Sequence, residues 1–223
     1  MKTESQLTFA TAAYETLRHE IMTGKIRPGE RLGFDALSKK YAIGLSPLRE
    51  ALNRLQAQGW VDREEQKGFR AAEISEVEFR QILEARIMIE TTAIKRAIDL
   101  KDSYTEENAV LAFHWLGKQT SSAADQRSEK WEQLHRQFHL TLIAGAKLLQ
   151  VTEFCGQLFD QAQRYQILCT PSFSTRSERN EHAKILEAYI DSDSEGAVAL
   201  LAGHYRAAAD QILSGIERFS ARY

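Results

Sequence analysis

Ser46-Pro47-Leu48-Arg49-Glu50-Ala51-Leu52-Asn53-Arg54-Leu55 is followed by two short β-like runs, Gly59-Trp60-Val61-Asp62-Arg63 and Gly68-Phe69-Arg70-Ala71. Leu48, Ala51, Leu52 and Leu55 recur at helical spacing and make one apolar stripe; Arg49, Asn53 and Gln56 fall on the opposite face. Ser46 suits the cap of this helix and Pro47 its first position. Glu50 lies four residues past that cap, too far for a capping box but suited to the positive helix end. Upstream, Tyr14 to Met22 carries Leu17 and Ile21 at i, i+4, with Gly24 as a stop. Arg27-Pro28-Gly29-Glu30 reads as a turn, Phe34 to Lys40 as a short second helix, and Tyr41 to Leu45 as a break. Helix, helix, turn, helix and a two-stranded wing together outline a winged helix-turn-helix.

In that arrangement the third helix enters a major groove of DNA with its N-terminal side chains towards the base edges. Arg49 is then expected to read a base rather than pair locally with Glu50 or Asn53. Ser46 can donate to a phosphate or a base. Arg54, Lys67 and Gly68 are expected at phosphates, which position a protein without specifying sequence. Gly68 lets the wing tip bring its backbone close, and Arg70 adds charge beside it.

The chain has 223 residues, 43% of them apolar and 27% charged, which suits a globular protein of two domains. The boundary falls near residues 72–76, giving a winged helix-turn-helix over 1–75 and a second domain over 76–223. The first part carries 12 Lys and Arg against 10 Asp and Glu, a weak basic excess within a net charge of -2. No stretch is apolar for the ~20 residues a membrane span needs. The polar start, Met1 to Gln6, lacks the apolar core of a signal peptide. Cys155 and Cys169 are too few for a disulfide framework and read as reduced thiols, so the protein is expected in the cytoplasm.

After the boundary the periodicity is helical almost throughout. Six helices are expected, at roughly 76–100, 104–121, 127–145, 148–168, 175–191 and 194–219, with a break at 169–175 and a helix start at Ser194. The fold class is mainly α: the winged domain plus an all-α bundle.

His135 and His139 are i, i+4 on one of these helices and share a face with Phe138, Leu142 and Ile143. His182 lies with Ile185, Leu186 and Tyr189, and His204 with Leu201 and Ala208. Four imidazoles on core-facing stripes are costly unless each finds a partner. One metal ion would satisfy all four, and so would four separate hydrogen bonds. His19 and His114 have no such pattern. Arg86 sits on the stripe of Ile82, Ile89 and Ala93, where a buried guanidinium needs an anion, either Glu90 or the carboxylate of a ligand.

Leu17 to Leu32, with its Lys25-Ile26-Arg27-Pro28-Gly29-Glu30-Arg31-Leu32, the Ser46 to Leu55 run, Gly59-Trp60-Val61 and Lys67-Gly68-Phe69 resemble the GntR family of regulators. Phe138-His139, His182, His204 and Arg86 in Glu84-Ala85-Arg86-Ile87-Met88-Ile89-Glu90 make the second half similar to the FCD domain, the helical sensor of the family's FadR branch. Tyr41-Ala42-Ile43-Gly44, Leu158-Phe159-Asp160 and Arg164-Tyr165 resemble its carbon-starvation-induced, glutarate-responsive members. The resemblance covers about residues 10–215. It implies a homodimeric transcription factor, a repressor released from its DNA operator by a small carboxylate. It also implies metal ligands at His135, His139, His182 and His204, and effector contacts at Arg86, Arg164 and Tyr165; for Arg164 a surface ion pair is the alternative.

Three departures stand out. Leu45 and Asp35 occupy positions where family members carry DNA-contacting arginines, which puts the operator sequence in question. His135 stands where the family pattern has an aspartate, leaving an all-imidazole set that suits zinc, nickel or copper over hard, oxygen-preferring ions. Zinc is expected, or nickel, with His135 either a ligand or a group holding a ligand's tautomer. Two other functions fit less well. A metal-sensing regulator needs no organic effector, and Arg86 speaks for one. A metal-dependent hydrolase, with Glu132 as its acid or base, would have no use for a DNA-binding half, so the chain is not expected to be an enzyme.

Overall fold

A computed structural model describes residues 8–65, 67–119, 128–170 and 178–221. The chain divides into two compact units, Met1–Ser75 and Glu76–Tyr223. The polar start at Met1 to Gln6 and residues 171–175 of the expected break lie outside the described residues, as do the expected helix limits at 121, 127 and 175.

In the first unit, helix α1 (Phe9–Met22) begins at Thr8, whose side chain accepts a hydrogen bond from Thr11 N, and buries Ala10, Ala13, Tyr14, Leu17 and Ile21. Strand β1 (Arg31–Leu32), helix α2 (Phe34–Tyr41), helix α3 (Leu45–Ala57) and strands β2 (Val61–Glu64) and β3 (Gly68–Ala71) follow. The stripe Leu48, Ala51, Leu52 and Leu55 is buried, and it joins Leu17, Ile21, Ile26 and Trp60 in one core.

Two local expectations change. The cap of α3 is Gly44, with extended backbone and no side-chain bond, not Ser46. Leu48 N donates to Gly44 O, so Ser46 and Pro47 already lie inside the first turn. The missing N–H of Pro47 costs nothing there, because the first helical N–H groups have no intrahelical acceptor. Glu50 is therefore past the first turn, and α3 has no acidic residue at its positive end. The wing also has a third strand: β1 pairs antiparallel with β3, Arg31 opposite Arg70 and Leu32 opposite Phe69, giving the order β1-β3-β2. Two residues are too short to display a period-2 pattern.

The second unit is built from α4 (Glu76–Leu100), α5 (Ser103–Gln119), α6 (Glu129–Ala144), α7 (Leu149–Cys169), α8 (Glu178–Ile190) and α9 (Ser194–Ser220). Its core gathers Ile94 and Ile98 of α4, Phe138 and Leu142 of α6, and Ile185 of α8 with Leu201 of α9. Ser128 caps α6, and Asp193, one residue before the expected Ser194, caps α9 by accepting from Gly196 N. No helix among the described residues is long and apolar enough to cross a membrane.

Both cysteines are free and buried. Burial, with Glu90 nearby, pushes the Cys155 thiol up to about 12, and burial pushes Cys169 up to about 11. The thiolate is the nucleophile, so the folded chain at pH 8 should react negligibly with a thiol reagent. Two thiols per chain should appear on unfolding in guanidinium. Rapid labelling of the native protein would contradict this burial.

Candidate metal centre and DNA-facing surface

On α3, Ser46 and Arg49 are exposed, and the Arg49 guanidinium lies 5.1 Å from the centre of the Phe34 ring, an aromatic platform from α2. Leu45, half exposed, opens the helix beside them. Lys67 is exposed at the wing turn, and Gly68 has φ +90° with no atom within 4 Å of where a Cβ would stand. The left-handed backbone, rather than crowding, therefore asks for glycine there. Arg31, which sequence reasoning missed, is exposed and donates to the Lys67 carbonyl at 3.5 Å, adding a second cation to the wing tip.

Two of these residues also have partners within the unit. Arg54 donates to Thr11 Oγ1 at 3.4 Å and sits 4.3 Å from the Tyr14 ring centre, clamping α3 to α1. Arg70 pairs with Glu64 at 3.0 Å and bonds the Gly29 carbonyl. Arg49→Ala should cost roughly 1–3 kcal/mol of specific DNA binding if the side chain reads a base. Measured beside random DNA, an equal loss on both would reassign Arg49 to phosphate.

In the second unit, α6, α8 and α9 bring His135, His139, His182 and His204 together, all buried, with one potential ligand atom from each within 4.8 Å of the others. The Nε2 atoms of His135, His139 and His182 form a triangle with sides of 3.0, 3.1 and 3.2 Å. Hydrogen bonds alone cannot satisfy that triangle. Each Nε2 is either a donor or an acceptor, so with any distribution of protons at least one side joins two like groups. A cation at the centre removes the conflict. Tetrahedral zinc with Zn–N of ~2.0–2.1 Å would separate its nitrogens by roughly 3.3 Å, close to what is found.

The far sides of two imidazoles are oriented for the same task. His204 Nδ1 lies 2.7 Å from Glu181 Oε2, so Nδ1–H donates to the carboxylate and Nε2 keeps its lone pair. His139 Nδ1 lies 3.3 Å from the Tyr205 hydroxyl, which itself donates to Glu90 Oε2 at 2.5 Å. The Tyr205 phenol is pushed well above its ordinary value, first by burial and then by Glu90.

Arg86 of α4 is held by the partner expected within its own chain, Nε donating to Glu90 Oε1 at 2.8 Å, and its guanidinium lies 4.1 Å from the Tyr205 ring centre. Burial opposes its charge, but Glu90 and Tyr205 outweigh burial and keep it protonated. Nη2 of Arg86 is buried and has no hydrogen-bond partner among the described residues. Arg86, His135, His139, His204 and Tyr205 line one pocket of about 410 Å³, its open mouth included, with Gln163, Gln166 and Glu178 on its walls. A buried, unused guanidinium N–H beside a cation site is suited to a carboxylate.

Arg164 and Tyr165 are not brought to this pocket. Both are buried, but Tyr165 donates to Glu78 Oε2 at 2.6 Å and its ring centre lies 5.1 Å from that of Phe79. Glu132 is buried and accepts from Gln163 Nε2 at 2.8 Å. Sequence reasoning missed Tyr205, Glu181, Gln163 and Gln166. Tyr205 was findable as the neighbour of His204, whereas no spacing rule connects Glu181 to a histidine on the next helix.

Known protein families match both units. The model of "Bacterial regulatory proteins, gntR family" matches residues 9–70, and that of the FCD domain matches residues 81–207. The HTH-type transcriptional repressor GlaR of Escherichia coli (strain K12) is 29% identical over 197 residues, which cover 86% of this chain and 90% of that protein. The uncharacterized HTH-type transcriptional regulator BphR of Paraburkholderia xenovorans (strain LB400) is 28% identical over 204 residues, 86% of this chain and 80% of its own. Among solved structures, E. coli McbR/YncC shares the fold with a TM-score of 0.73 at 19% identity, over 90% of this chain and 95% of that one.

Proposed function

The chain belongs to the bacterial gntR family of DNA-binding regulatory proteins and carries their FCD domain, and from that premise we propose that it is a cytoplasmic repressor, homodimeric on a two-fold operator, that leaves DNA when a small carboxylate enters the helical unit. Its relatives are transcriptional regulators, not enzymes. The observation that carries the effector reading is Arg86: a buried Nη2 without a partner, in a pocket shared with three histidines.

His135, His139, His182 and His204 would hold the metal, and four neutral nitrogens favour zinc, with nickel next. Bound there, the ion supplies a Lewis acid that anchors a carboxylate. Arg86 orients that carboxylate through Nη2 while Nε stays on Glu90. Gln166 offers its amide and Gln163 its carbonyl oxygen to the rest of the ligand, beside the apolar side chains of Phe159, Ala208 and Ile212. Ser46, Arg49, Lys67 and Gly68 remain the proposed DNA contacts, joined by Arg31. Arg54 remains a proposed phosphate contact that also braces α3 on Thr11 and Tyr14 of α1. Release requires the ligand to bind the low-affinity state of the protein more tightly than the DNA-bound state, a coupling of about 1–3 kcal/mol in typical regulators.

The test is DNA affinity of the full chain on an operator selected from random sequence, metal-stripped, then with zinc or nickel, then with a panel of mono- and dicarboxylates. At least one carboxylate should weaken binding by about 5–150-fold when metal is present. The four-imidazole cluster favours a second reading, in which the ion is itself the signal. Affinity that follows free metal and ignores every carboxylate would establish that reading instead.

A further inference from the structure

We propose that Tyr205, held by Glu90, is a positioning residue of the histidine centre: it fixes the His139 tautomer that aims Nε2 at the other imidazoles, and it ties that centre to Arg86. The inference rests on the metal reading above. A phenol has one proton, and Tyr205 donates it to Glu90 Oε2 at 2.5 Å. The Tyr205 oxygen can then only accept from His139 Nδ1, 3.3 Å away. A neutral imidazole carries one N–H, so placing it on Nδ1 leaves the lone pair on Nε2, the form a metal ligand needs.

The chain of bonds is anchored at its far end. Glu90 Oε1 accepts from Arg86 Nε at 2.8 Å, so the two carboxylate oxygens are divided between the pocket arginine and the phenol. Glu90, His139 and Tyr205 are 1%, 1% and 4% exposed, so water does not compete for these bonds. Nη2 of Arg86 lies outside the chain of bonds, so an anion can take it without dismantling the link. Glu181 performs the same service for His204 in one step.

The test uses the full chain stripped of metal, with zinc affinity measured by competition against a chromophoric chelator and the Co²⁺ absorption spectrum as a second readout. Tyr205→Phe keeps the ring and removes only the oxygen. It should weaken zinc binding by about 10–100-fold and change the Co²⁺ spectrum. Glu90→Gln should act in the same direction, because its amide can donate to the phenol oxygen and free the phenol proton to point at Nδ1; it also serves if Tyr205→Phe does not fold. A purely structural role would lower the melting temperature of the metal-free protein and leave the zinc affinity of the folded chain within about twofold of wild type. That result in both variants overturns the positioning role and leaves the metal reading intact. A wild-type chain that binds neither zinc nor cobalt overturns both.

Discussion

Replacing His139 by alanine should empty the chain of zinc and abolish the stability that zinc confers. His139 Nε2 makes two of the three sides of the imidazole triangle, at 3.0 and 3.2 Å, and its other nitrogen reaches Tyr205. Binding that favours the folded chain stabilises by about 4 kcal/mol when free metal stands at a thousand times Kd. For a unit of this size each kcal/mol moves the melting temperature by about 2–4 °C. Wild type should therefore melt roughly 8–16 °C higher with zinc than with chelator, and His139→Ala should melt at one temperature in both. Elemental analysis should give about one zinc or nickel per wild-type chain and none in the variant. His135→Ala run alongside separates ligand from orienting group. The position of His135 Nε2, 3.1 Å from His182 Nε2 and 3.0 Å from His139 Nε2, favours a ligand and a comparable loss. A wild-type melting curve indifferent to metal and chelator would remove the ion, and the four histidines would then share protons among themselves.

The second large effect is expected from Arg86→Ala, and it has two parts that one further substitution separates. Glu90 is 1% exposed and pairs with Arg86 at 2.8 Å. Removing one partner of a buried pair strands the other charge and costs about 3–5 kcal/mol. The single variant should therefore be strongly destabilised in urea, whatever its role towards a ligand. Combining Arg86→Ala with Glu90→Gln removes both charges and should recover most of that loss. With zinc held saturating, because Glu90→Gln also weakens the metal site, the pair should still bind DNA and should not respond to any carboxylate that releases the wild type. A normal response in the double variant would take Arg86 out of the ligand pocket and leave it a packing residue.

The two variants also show how far sequence reasoning reached. The histidines lie on apolar stripes at i, i+4 spacing, so their inward direction follows from helix geometry alone. Arg86 was readable for the same reason. Its choice between Glu90 and a ligand was not, and the structure divides the guanidinium: Nε serves Glu90, while Nη2 is buried with no hydrogen-bond partner among the described residues. Arg164 and Tyr165 show the limit of periodicity. Residues 162 to 165 of α7 are buried in succession, so spacing there does not say which side meets the cavity. Arg54 shows another limit. Its long stem and flat head fit the Tyr14 ring, a contact set by how α1 crosses α3.

What the sequence by itself determined is the set of elements and their inward faces: a winged helix-turn-helix, six helices after it, and four histidines and an arginine pointing to a core. Those follow from local rules of period and turn chemistry that act within a few residues. Only the tertiary structure decided which polar groups meet. The triangle of Nε2 atoms, the Glu181 bond to His204, and the run from Arg86 through Glu90 and Tyr205 to His139 join residues up to 115 positions apart. Such contacts depend on the rotation and crossing of α4, α6, α8 and α9. A burial pattern records that each face turns inward, not what it finds there.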